Sequence, residues 1–218
     1  MKGIIGAVLG LLIGLFIFKI SDKIIRYKCG KLDKEVPKPD IMSKMLKNIF
    51  ILVHILLYIA TYLIMSLTKA IFVGLFITIA VVGTIVDVYI HIIPNETVLF
   101  LLGTGVVYRI ITEGISSFKG SLLGLLLVTG LFLGTGAIVY LMKGTIGVGA
   151  GDLKLAMAIS IALGYPGTLY FLFGLAGAIL GYLAMGYMSR TLVFGASFPM
   201  AGQIMAGFIA AFFFPYVV

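Results

Sequence analysis

Between residues 120 and 142 the chain runs for 23 residues without a single charge, and no other feature narrows the choice of fold so far. A run of that length matches one helical crossing of the bilayer hydrocarbon, which takes about 20 apolar residues. In lipid the backbone has no water to bond, so such a segment must satisfy its own amide and carbonyl groups as a helix. The rest of the chain has the same character. Hydrophobic residues make up 61% of the 218 and charged ones 11%, with a mean hydropathy of +1.22. Water-soluble single domains do not approach these values. The sequence therefore predicts an all-α, polytopic integral membrane protein of about eight transmembrane helices joined by short loops, seated in the lipid bilayer.

Charge placement supplies a topology. The net charge is +8, and nine of the sixteen Lys and Arg lie between residues 19 and 47. Clustering of this kind marks a loop held on the cytoplasmic side, and it argues against nucleic acid as a partner. Residues 1–47 read as a first helix (3–18) and a basic loop (19–47), and residues 48–218 as the membrane-embedded domain. The first helix lacks a small-residue cleavage site, so it reads as a retained span rather than a removed signal, with the amino terminus outside. Gly6, Gly10 and Gly14 in it read as a packing face, because small residues let membrane helices approach closely. His54, alone on an apolar span, reads as a hydrogen-bonded packing residue. The later spans read as 70–86, 97–112, 120–142, 155–165, 168–187 and 192–218, with Arg109, Glu113 and Lys119 bracketing an outer connection and Pro199 kinking the last span. Cys29 is the only cysteine, which excludes an internal disulfide and a multi-cysteine zinc site.

The acidic residues then isolate a pair. Of eight, four lie in the basic loop and Glu96 and Glu113 in connectors; only Asp87 and Asp152 stand at the ends of spans. Counting crossings from the basic loop brings both to the cytoplasmic face. Ionised carboxylates at the edge of a bilayer cost several kcal/mol and mark chemistry. Two that share a site hold one proton between them. The ionised member can then activate water while the protonated member polarises a peptide carbonyl, a metal-free route to amide hydrolysis. Asp152 opens a helix whose dipole favours an anion, and Asp87 closes one, so Asp87 is assigned the resting proton. Gly149 and Gly151 shape the turn before Asp152. After Asp87, the residues Pro94 and Asn95 form a reversal. A proton-coupled transporter using the same two aspartates as a relay is the alternative, although both carboxylates sit near one face and no repeated halves are evident.

Asp87 with Pro94-Asn95 seven positions on, then Gly147-Val148-Gly149-Ala150-Gly151-Asp152-Leu153-Lys154, and more loosely Phe198-Pro199-Met200-Ala201, resemble the type IV prepilin peptidases. These are intramembrane aspartyl proteases related to the preflagellin peptidases. The resemblance spans residues 80–202. Presenilin-like enzymes share the glycine-aspartate motif but place Tyr before the first aspartate, where this chain has Val86. The resemblance implies Asp87 and Asp152 as catalytic residues, with Pro94, Asn95, Gly149, Gly151 and Lys154 supporting the motif. It implies cleavage of a basic leader after a glycine at the cytoplasmic face of the inner membrane, with prepilins, pseudopilins or related precursors as substrates. No metal or cofactor is implied for peptidase action. S-adenosylmethionine enters only if methylation of the new amino terminus is retained, and the paired-cysteine zinc loop of many bifunctional members has no counterpart beside the lone Cys29. The precursor cleaved and the oligomeric state stay open.

Overall fold

The computed structural model describes residues 1–33, 35–37, 42–144, 149–190 and 200–216. Its described part contains seven α-helices: α1 (Lys2–Lys31), α2 (Lys44–Ile64), α3 (Leu67–Ile90), α4 (Asn95–Glu113), α5 (Phe118–Lys143), α6 (Ala150–Met188) and α7 (Ala201–Phe213). Short 3-10 turns precede α5 and follow α7. Five segments are long and apolar enough to cross a membrane, containing α1, α2, α3, α5 and α6. The chain is thus a multi-pass membrane protein, and many large apolar side chains, Leu12, Phe16, Leu126 and Leu133 among them, are exposed on its surface. The helices fall into two compact units, Met1–Pro94 and Asn95–Val218.

In the first unit α3 is the buried centre, with Val73, Phe76, Ile77, Ile85 and Val86 at most 1% exposed. Helix α1 meets α2 through the glycine face. A Cβ on Gly6 would stand 2.9 Å from the Tyr58 carbonyl oxygen, and one on Gly10 would stand 2.9 Å from the Tyr58 Cβ, so only glycine admits this approach. Its closeness lets the His54 Nδ1 donate to the Gly10 carbonyl at 3.0 Å. The His54 Nε2 lies 3.3 Å from the Thr78 hydroxyl, which also pairs with the Tyr58 hydroxyl at 2.8 Å. His54 is fully buried, and it is the hydrogen-bonded packing residue that its setting predicts.

The basic segment differs from its expectation. Residues 19–31 continue α1 as helix instead of forming a loop. Lys and Arg are good helix formers, and Ser21, Ile25, Lys28 and Cys29 recur at helical spacing on a buried face. At 30 residues, α1 is about 45 Å long and outreaches the roughly 30 Å hydrocarbon layer.

In the second unit α6 packs against α4, α5 and α7. The two helices expected over 155–165 and 168–187 are the two arms of this 39-residue element, separated where the backbone leaves helical geometry at Gly164 (φ 61, ψ 179) and Tyr165 (φ −85, ψ 137); across that break the Thr168 hydroxyl comes 3.5 Å from the Ser160 carbonyl. The kink expected at Pro199 lies outside the described residues. At the break, Arg109, expected to bracket the outer connection, is a buried residue. It is 3% exposed, donates to the Leu163 and Ser117 carbonyls at 3.1 and 2.8 Å, and pairs with Glu113 one turn on.

Candidate active site

Asp87 stands in the last turn of α3 and is 5% exposed. Its helix stops at His91, which adopts the left-handed conformation (φ 51, ψ 38) and donates its amide to the Asp87 carbonyl at 2.8 Å. A left-handed residue at a helix end satisfies a carbonyl that would otherwise lack a partner. Residues 91–94 form the connector, in which Pro94 is buried. A proline restricts its predecessor to extended backbone, so the chain leaves α3 cleanly. Asn95 then opens α4, with Glu96 in its first turn.

The second motif is a helix start. Gly149 caps α6 in extended conformation (φ −69, ψ 131), and its carbonyl accepts the first helical bond, from the Leu153 amide at 3.1 Å. Asp152 follows in the first turn and is half-buried. Its carboxylate folds back over Gly149, where any added Cβ would run into the Asp152 Oδ2. The glycine is therefore a steric requirement of the carboxylate's position, and the positive end of the α6 dipole favours that carboxylate as an anion. Lys154 is exposed one step further along.

Asn95 and Lys154, predicted from separate motifs, come together: both line a groove of about 430 Å³ between α4 and α6, walled by Val98, Leu102, Met157 and Ala158. Gly149, Gly151, Asp152 and Lys154 share the start of α6. Asp87 and Pro94 belong to the first unit, Asn95 and Asp152 to the second. Gly147, Phe198 and Pro199 lie outside the described residues. Sequence reasoning missed the buried role of Arg109. Its signals were Glu113 at the i+4 position and Gly164, whose positive φ and missing side chain admit the guanidinium; a Cβ there would lie 2.7 Å from the Arg109 Cζ.

Among the described residues no group of three or more His, Cys, Asp or Glu could hold a metal. Cys29 is buried in α1. With no second thiol in the chain, these residues do not fit a paired-cysteine zinc site.

The model of a family described as the type IV leader peptidase family matches residues 72–217. That span takes in α3 through α7, with both aspartates, and leaves α1 and α2 outside. No curated protein and no solved structure gives a match.

Proposed function

The chain belongs to the type IV leader peptidase family, making it an aspartyl peptidase of prepilin leaders, and from that premise we propose that Asp87 and Asp152 are its catalytic pair. The supporting observation is their placement: both fall inside the matched span, one buried in the last turn of α3 and one in the first turn of α6.

In this reading the Asp152 carboxylate, favoured as an anion at a helix start, takes a proton from the attacking water. Asp87, buried near a helix C-terminal end where an anion is disfavoured, carries the shared proton and donates a hydrogen bond to the scissile carbonyl. Water adds to the carbonyl carbon, and the proton held on one carboxyl passes to the leaving amine as the carbon–nitrogen bond breaks. The two carboxyls exchange roles over the cycle, so their titration belongs to the pair. Gly149 leaves room for the carboxylate of Asp152, and Pro94 and Asn95 end α3 and begin α4.

The substrate is a prepilin, pseudopilin or related precursor whose basic leader is cut after a glycine at the cytoplasmic face of the inner membrane. A glycine before the scissile bond lets a helical substrate unwind locally, and a basic leader is drawn to an anionic pair. Incubation of the purified protein in lipid with a candidate prepilin, followed by intact-mass spectrometry of the product, tests the reading. The expected result is loss of the leader at the bond following glycine. Cleavage at any other bond, or a transmembrane proton flux without proteolysis, overturns it, and the same spectrum reports any added methyl group.

A further inference from the structure

Helices α4 and α6 touch at one level and part towards their starts, wholly inside the second unit. A Cβ on Gly105 would stand 2.6 Å from the Ala162 Cβ, so the interval between the helices is closed there. Nearer their starts they leave the groove of about 430 Å³ that Asn95 and Lys154 line, with Val98 and Leu102 on the α4 wall and Met157 and Ile161 on the α6 wall. Asn95 and Lys154 precede the closure by about 15 and 12 Å of helix rise, so the two polar side chains share the open end. From there to the closure the described lining residues are all apolar.

The dimensions and the chemistry of the groove select its occupant. Spread over about 12 Å of helix, that volume makes a channel about 6 Å across, too narrow for a second helix of about 10–12 Å diameter but open to a single hydrocarbon chain. Lys154 is exposed, and it is the only charged side chain among the described residues that line the groove. The segments 145–148, 191–199 and 217–218 of the same unit carry no charged side chain. Because α4 begins at Asn95 and α6 at Ala150, the positive ends of two helix dipoles also lie towards the open end and favour an anion. Asp152 precedes Lys154 by about 200° of helix rotation, so it stands on the other side of α6 and the groove is not the place where a peptide would be cut. A slender apolar chain tied to an anionic head is the chemistry that fits, and the bilayer around a multi-pass protein supplies it as phospholipid.

We infer that the groove between α4 and α6 holds one acyl chain of an anionic phospholipid, with the phosphate of its headgroup on Lys154 and Asn95. The site does not depend on which residues form the catalytic pair.

The test uses the full chain in vesicles of equal parts phosphatidylglycerol and phosphatidylcholine, one of the two carrying a photoactivatable diazirine in its acyl chain, with labelled peptides read by mass spectrometry. Phosphatidylglycerol should label residues 98–102 and 157–161 about fivefold more than phosphatidylcholine, the factor that one lysine supplies towards an anionic headgroup. Both lipids should label the exposed Leu126 and Leu133 of α5 equally. Lys154→Gln should bring the groove to parity and Lys154→Arg should keep the preference, while Leu102→Trp should clear both lipids from the groove and leave the label on α5 unchanged. If Leu102→Trp fails to fold, Lys154→Gln, at an exposed position, still decides the outcome. Parity in the unaltered protein, or a preference that survives Lys154→Gln, overturns the headgroup assignment, and the same preference on α5 as in the groove overturns the site. Loss of the groove label when a prepilin is added gives the groove to the substrate and overturns the lipid.

Discussion

At the start of α6 the Asp152 carboxylate lies against Gly149, and at the bend of the same helix the Arg109 guanidinium lies against Gly164. In both places a glycine is required because a charged group occupies the volume of the missing side chain. The two charges are nonetheless used differently. Arg109 is 3% exposed, and its terminal nitrogens meet two carbonyls and a carboxylate, so it holds the bend of α6 to the end of α4 and the turn before α5. Asp152 is half-buried at a helix N-terminus, where solvent reaches it. Arg109 is a strut of the fold, whereas Asp152 is the charge proposed for chemistry; the presence of an adjacent glycine does not tell the two apart.

The largest effect should come from neutralising the two charges proposed as catalytic. Asp87→Asn and Asp152→Asn should each lower leader cleavage in membranes by about 10³-fold while the protein inserts and elutes normally; retained cleavage in either variant breaks the distinction between the two sites. Next, Arg109→Met should destabilise the protein by about 3 kcal/mol, because the buried Leu163 carbonyl and the part-buried Ser117 carbonyl lose their donor. Thermal unfolding in lipid should show it, with turnover per folded molecule unchanged. Gly164→Ala should cost about 2 kcal/mol by the same readout, since its backbone conformation is nearly exclusive to glycine. Smallest in energy is Gly149→Ala, which displaces the Asp152 carboxylate and should lower kcat/KM about tenfold, or roughly 1.4 kcal/mol, with no change in unfolding temperature. A stability loss at Gly149 or an activity loss at Gly164 would show that the two sites are not separate.

Much of this arrangement could be read from the residues. The end of α3 after Asp87 followed from Pro94 and Asn95, and the start of α6 at Asp152 from the glycines before it, because turn chemistry is local. The glycine face of α1 and the bonded burial of His54 were legible too, since a membrane helix has few polar or small residues and each must be accommodated. Other features depended on partners that sequence spacing does not reveal. Residues 19–31 looked like a loop because their charges masked a helical stripe of Ser21, Ile25 and Cys29. Arg109 read only as a boundary marker because two of its acceptors, the carbonyls of Leu163 and Ser117, are backbone groups that any residue type supplies. The break of α6 at Gly164 and Tyr165 was, by contrast, legible, because Gly and Pro punctuate a sequence.

Because one rod carries both the Asp152 carboxylate and the Gly164 bend, their angular phase is fixed by the number of residues between them. Adding or deleting a single residue in that interval would swing the acid about 100° around the rod and slide it about 1.5 Å along. With the far end clamped by Arg109, nothing at that end could absorb the twist, so the interval tolerates changes of letter but not of length.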